Sequence, residues 1–184
     1  MLKYLYLIIF FSCLFFDNTN AEIKNKIIQN LISTDNLDFK FEQNINGKIE
    51  FGSCTIEYPK KIFCEYAKSN NKILVSNGKF LVVKTRTGYN RYSLEKTPLN
   101  LILDKNFLIE KINNLEERII DNDLINYAID QEDNKLNIFF DNRTFDLIGW
   151  QNIDIYQNFN IIFLSSIRKN RVLPKNLFKL PAHH

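Results

Sequence analysis

Hydrophobic residues recur along this chain with two periods, and the change from one to the other divides it. From Glu22 to Ser33, Ile23, Ile27, Ile28, Leu31 and Ile32 fall on one helical face with Lys24, Asn25 and Gln29 between them, which predicts an amphipathic helix. The period then drops to two. Leu37, Phe39 and Phe41 alternate with Asp38, Lys40 and Glu42, and Asn46-Gly47 supplies a dipeptide suited to a tight hairpin turn. Lys48 to Tyr58 and Ile62 to Ala67 read as a hairpin broken at Pro59; Lys72 to Ser76 and Lys79 to Thr85 read as another, turning at Asn77-Gly78. Arg86, Tyr89, Arg91 and Tyr92 follow as a solvent-facing loop of amphipathic side chains.

One segment interrupts the strands. Thr97 is a capping residue, Pro98 suits a first helical position where a missing N–H costs nothing, and Leu99 to Leu103 continue as a short apolar helix. A further helical turn begins near Asn106. Strand-like runs resume around Arg118 to Ile120, Ile125 to Ile129, Leu136 to Phe140, Phe145 to Trp150 and Phe159 to Ile167. The expected fold is mainly β (α+β): a curved antiparallel sheet whose concave face is covered by short helices, over either a filled core or an apolar cavity.

The first residues stand apart. Lys3, an apolar run from Tyr4 to Phe16, and Thr19 and Ala21 at small-residue positions predict a secretory signal cleaved after Ala21, leaving 22–184 as one domain. The run is shorter than the ~20 residues a helix needs to cross a bilayer. Cys13 lies inside the run, which continues through Leu14-Phe15-Phe16, so it does not read as a lipid attachment site.

Composition narrows the function. The 184 residues are 45% hydrophobic and 24% charged with a net charge of +3, which excludes a disordered tail or coiled-coil rod and offers no basic patch for nucleic acid. Cys54 and Cys64 follow the signal in a chain that leaves the reducing cytoplasm. If the hairpin folds about Pro59 they lie opposite each other, as Ile56 and Ile62 do, either joined as a disulfide or packed as free thiols. The histidines are His183 and His184, so neither a catalytic triad nor an ordered metal site has a base or ligand to use. No Gly-rich phosphate loop occurs, and Glu116-Glu117 and Glu132-Asp133 read as solvated surface. The residues point to no enzyme, no metal and no cofactor.

The motifs in order do match something known. Leu37 to Gln43, Gly52 leading to Tyr58-Pro59-Lys60, Ile73-Leu74-Val75-Ser76-Asn77-Gly78-Lys79 and Lys96-Thr97-Pro98-Leu99 resemble the LolA family of periplasmic outer-membrane lipoprotein carriers. Gly149-Trp150, Asp154, Asn158 and Asn176-Leu177-Phe178 with Pro181 extend the likeness through the C-terminal half. The resemblance implies an unclosed antiparallel β-barrel with lid helices over an apolar cavity. It also implies a soluble monomeric chaperone in the periplasm of a Gram-negative bacterium. Its partners would be acylated lipoproteins, an inner-membrane ABC-type releasing complex and an outer-membrane receptor. The cavity would be drawn from Phe39, Phe41, Phe51, Ile56, Ile62, Leu74, Phe80 and Val82, and the lid from Ile27, Leu31, Pro98, Leu99, Ile102 and Leu103.

Two departures bear on this. The family often carries Arg before the hairpin Pro, where this chain has Tyr58, and often an aromatic at the positions of Cys64 and Val82. Tyr58 thus stands at the position that the resemblance associates with lid control, with a hydroxyl in place of a charge, which leaves two alternatives: Tyr58 gates the lid, or the closed state is held differently or less tightly. The alternatives are an outer-membrane-anchored receptor of the same fold, a secreted enzyme with an unrecognised site, and a structural envelope protein with a filled core.

Overall fold

The computed structural model describes residues 18–67, 70–116, 118–120, 123–131, 134–154 and 157–182. The apolar run before Asn18 and its Cys13, the pair His183 and His184, and Glu117, Glu132 and Asp133 lie outside the described residues.

The described residues open with helix α1 (Asn18–Ser33), whose apolar stripe buries Ile27, Ile28 and Leu31. Six strands follow in a meander: β1 (Asn36–Ile45), β2 (Lys48–Glu57), β3 (Lys61–Tyr66), β4 (Ile73–Asn77), β5 (Phe80–Lys84) and β6 (Tyr89–Ser93). A 3-10 turn (Leu94–Lys96) and two helices, α2 (Leu99–Ile102) and α3 (Lys105–Asn114), lead to a second meander. Its strands are β7 (Arg118–Ile120), β8 (Leu124–Gln131), β9 (Asn134–Asp141), β10 (Leu147–Ile153) and β11 (Phe159–Lys169).

The strands form one antiparallel sheet in the order β6-β5-β4-β3-β2-β1-β11-β10-β9-β8-β7. β6 and β7 are its edges and do not pair, so the sheet is unclosed. After β6 the chain must cross from one edge to the other, and α2 and α3 are that crossover. Their apolar residues Ile102, Leu103, Leu108 and Ile112 join Ile27 and Leu31 of α1 in the core cluster with the inward side chains of the sheet. The lid is thus the connection between two meanders. β1 and β11 close the join with a register shift near Asp38 and Lys40, opposite Ser166 at φ 54, a bulge that sharpens the bend of the sheet.

The expected hairpins are present. Asn46 and Gly47 both take positive φ, the requirement of a turn matching the strand twist. At the next turn the Asn77 side chain accepts from the N–H groups of Lys79 and Phe80.

Three local expectations are corrected. The segment Tyr89 to Tyr92 is not a loop but edge strand β6, paired with β5 from Val82↔Arg91 to Lys84↔Tyr89. Thr97 does not cap α2; its hydroxyl donates to the Leu94 carbonyl at 2.8 Å, and Pro98 itself occupies the cap position. The turn near Asn106 is a ten-residue helix, and its cap is Asp104, whose Oδ1 accepts from the Phe107 N–H at 3.1 Å. Asp104 follows the apolar run, and its short side chain reaches forward to that N–H.

Candidate functional site

Alternation decides what the concave face presents. On β1 the inward residues are Leu37, Phe39, Phe41 and Gln43; across the ladder, Gly52 and Cys54 of β2 oppose Phe41 and Phe39. Phe41 needs Gly52: a β-carbon there would collide with the Glu65 carbonyl and the Phe41 ring. The ring instead lies edge-on to Tyr66 with centroids 5.0 Å apart.

Between this face and the crossover lies a cavity of about 350 Å³. Its apolar wall includes Phe39, Phe41, Ile62, Leu74, Trp150 and Ile162, and Pro98 and Leu99 of the crossover close over it. Cys54 and Cys64, directly opposed on β2 and β3 with Cα atoms 4.1 Å apart, are joined as a disulfide that forms part of the same wall.

The remaining expected cavity residues lie elsewhere. Ile56 points inward and is fully buried, but in the core beside the cavity and not on its wall. Phe51 is three residues from Cys54, an odd step, so it stands on the outer face with about half its surface exposed. Phe80 and Val82 also face outward, because Leu81 and Val83 line the cavity. Phe80 stacks under the Arg91 guanidinium at 3.7 Å. Val82 pairs with Val75, and both are buried outside the main cluster. The C-terminal segment crosses this outer face: Phe178 lies beneath the Lys61 ammonium, and the Ala182 carbonyl accepts from Lys84.

Of the expected lid residues, Pro98 and Leu99 touch the cavity, whereas Ile27, Leu31, Ile102 and Leu103 are buried in the core that holds the lid down. Lys105 ties α3 to the end of α1, its ammonium donating to the carbonyls of Ile32 and Thr34. Tyr58 lies beside this junction, 5.7 Å from the Lys105 ammonium to its ring centre. Its hydroxyl is buried without a partner among the described residues, and burial pushes its pKa up from the ordinary tyrosine value. A group in that state anchors no lid through hydrogen bonds.

The end of the cavity away from Pro98 is polar. Tyr66 donates to Gln43, Gln43 to Asn160, and Asn160 to Asn152, at 3.1, 2.8 and 3.1 Å. Lys72 sits 3.8 Å above the Tyr66 ring and meets the buried Glu50 carboxylate at 2.6 Å, with Lys48 on its other oxygen at 3.1 Å. Burial alone would raise the Glu50 pKa, but the two ammonium groups outweigh it and hold the carboxyl below its ordinary value.

The sequence reading passed over this end, although parity contained it. Gln43 continues the inward series of Phe39 and Phe41, and Asn152 and Asn160 are two residues from Trp150 and Ile162. Among the described residues no group of three or more His, Cys, Asp and Glu side chains is arranged to hold a metal. No described helix is long and apolar enough to cross a membrane.

A bent, unclosed sheet with its crossover folded over a largely apolar cavity agrees with the comparison of sequences. Residues 32–181 match the family described as outer membrane lipoprotein carrier protein LolA. The chain belongs to the LolA family. Among proteins of curated function none matches it. In solved structures this LolA-family fold is similar to an uncharacterized conserved protein from Thermus thermophilus. That likeness has 8% identity, a TM-score of 0.52, and covers 88% of this chain and 93% of that one. It is similar also to MucB, at 8% identity and a TM-score of 0.51 over 89% of this chain and 63% of that one. A LolA superfamily protein from Nitrosomonas europaea shares 12% identity with a TM-score of 0.46, over 88% of this chain and 98% of that one. At these identities the likeness is one of fold.

Proposed function

We propose that this protein is a carrier of acylated lipoproteins: it shields their acyl chains after release from the inner membrane, crosses the periplasm as a monomer and passes them to an outer-membrane receptor. The observation that supports the reading is the apolar cavity beneath the crossover in a chain of the LolA family. On this reading the protein is a binding protein and not an enzyme.

The energetics are those of transfer without commitment. Each acyl methylene removed from water contributes about 0.8 kcal/mol, so exposed chains aggregate unless covered. At about 350 Å³ the cavity is at the low end of the ~300–1,000 Å³ of ligand pockets. Several acyl chains need the crossover to lift, and the contacts of Pro98 and Leu99 with the empty wall then compete with cargo. That competition lowers net affinity and allows release to a better site.

The same reading assigns residues 1–21 to a signal removed on export. Cleavage after Ala21 would cost α1 its first turn and keep the turns that bury Ile27, Ile28 and Leu31.

Trp150 is the single tryptophan of the chain and lines the cavity, which makes it the reporter for the test. Lipopeptides with brominated acyl chains should quench its emission, and Leu99→Glu should weaken the quenching at least tenfold. Export with inner-membrane vesicles carrying labelled lipoproteins should then yield soluble complexes of the parent protein. No quenching, together with no soluble complexes, would overturn the carrier reading.

A further inference from the structure

We infer that the polar end of the cavity is a head-group subsite that takes the uncharged, amide-bearing head of an acylated peptide and selects against phospholipids of the same acyl content. The inference rests on the proposed carrier function and names what that cavity recognises beyond apolar chains.

The end is built from side-chain amides. Gln43, Asn152 and Asn160 all lie on the cavity surface, and all three residues are at least nine-tenths buried. Their bonds run in one direction, from the Tyr66 hydroxyl through Gln43 and Asn160 to Asn152. The chain of bonds ends on the Asn152 amide oxygen, and the Asn152 Nδ2 has no partner among the described residues. A donor at the rim of an apolar cavity is satisfied by a ligand carbonyl. Side-chain amides also supply acceptors, so together they complement a peptide group, which presents one donor and one acceptor. An ionised phosphate presents acceptors alone.

Charge argues the same way. Among the described residues Lys72 is the cation on the cavity wall, and Glu50 already meets it at 2.6 Å. The Asp154 carboxylate, also on the wall, accepts from the Asn158 N–H and side chain. With Lys48 on the second Glu50 oxygen, the charged groups named here, Lys72 and Lys48 against Glu50 and Asp154, balance among the described residues. A phosphate placed here meets no uncompensated cation among the described residues to replace its lost hydration. A neutral head loses nothing of that kind, and a site built to hydrogen-bond it leaves buried groups unpaired when the head is absent. The rim also reaches solvent through the exposed Asn90 of β6, so a peptide continuing from the head has a way out.

The test compares two amphiphiles with identical acyl chains on the full mature protein. One is dipalmitoylglyceryl N-acetylcysteinyl-serine amide, the other dipalmitoyl phosphatidylglycerol, each displacing a fluorescent acyl probe with Trp150 quenching as a second readout. The lipopeptide should bind at least tenfold more tightly. Asn152→Leu should reduce lipopeptide affinity about tenfold and change phosphatidylglycerol less than twofold. Because Asn152 also accepts from Asn160, a ligand-side control needs no altered protein: replacing all three amides of the lipopeptide (N-acetyl, Cys–Ser and C-terminal) by ethers should reproduce the tenfold loss on the parent. Equal binding of the three ligands, or equal weakening of both amphiphiles by Asn152→Leu with no effect of the ether replacement, overturns the head-group inference and leaves the carrier reading standing. Failure of every amphiphile to displace the probe overturns the carrier reading itself.

Discussion

The backbone N–H of Lys60 donates to the carbonyl of Leu103 at 2.8 Å, joining the β2–β3 turn to the crossover at the residue where α2 ends. The same junction is reinforced through one carboxylate: Asp104 Oδ2 meets the Lys60 ammonium at 3.3 Å while its Oδ1 caps α3. The two functions separate by substitution. Asp104→Asn keeps a capping oxygen and loses only a partly exposed ion pair, so it should cost about 0.5 kcal/mol. Asp104→Ala loses both and should cost about 1–2 kcal/mol by urea unfolding. Because the crossover covers the cavity, Asp104→Ala should also speed uptake of an acyl probe read at Trp150, and Asp104→Asn should change it little.

Tyr58 tests how far the family's gating pattern carries over. Its hydroxyl is buried with no partner among the described residues, so it is desolvated without return. Tyr58→Phe removes that oxygen and keeps the ring, and should raise stability by about 1 kcal/mol with acyl uptake unchanged. A loss of stability or of uptake on this change would show the hydroxyl serving the closed or loaded state after all. Bonds across this junction are made by Lys60, Asp104 and Lys105.

How much of this was legible follows from which face of each strand is unambiguous. On β1 apolar Phe39 and Phe41 alternate with charged Lys40 and Glu42, so the inward face could be read directly. Phe51 was separable from Cys54 and Ile56 by its odd spacing alone. β5 was not decidable, since Phe80 and Val82 on one face and Leu81 and Val83 on the other are equally apolar. The reason is tertiary: the outer face there is buried too, under the C-terminal segment that reaches Lys61 and Lys84. The polar end escaped notice because inward Gln, Asn and Glu residues contradict the apolar pattern used to find a core. Only the fold shows that they satisfy one another.

The disulfide makes a quantitative expectation. It closes a loop with a sequence separation of 10 between Cys54 and Cys64. In the chain-entropy account a loop of that length restrains the unfolded state by about 2–3 kcal/mol. The double substitution Cys54→Ala with Cys64→Ala should lower the unfolding free energy by that amount, since small apolar side chains remain on the buried wall. The β2–β3 ladder pairs from Gly52↔Tyr66 to Glu57↔Lys61 without it, so acyl binding should persist below the lowered melting temperature. A reducing agent should shift the parent to the stability of the double variant and leave the variant itself unmoved.

Glu50 carries the sharpest dependence on pH. Its side chain is almost fully buried between Lys72 and Lys48, and their ammonium groups hold its pKa below the ordinary 4.5 in the folded chain. A carboxyl whose folded pKa is depressed contributes stability above its unfolded pKa and loses it as pH falls through the folded value. The unfolded chain binds the proton first, so stability should decline below about pH 4.5. Glu50→Gln keeps the shape and an acceptor but no charge, leaving Lys72 largely buried beside a neutral group. It should cost about 2 kcal/mol at pH 7, and the difference from the parent should shrink as both are titrated from pH 5 to pH 3. Urea unfolding at intervals of half a pH unit checks this. Parallel curves for the two proteins across that window would mean that the ion pair adds nothing beyond a neutral hydrogen bond, and that charge balance at the polar end is held by other groups.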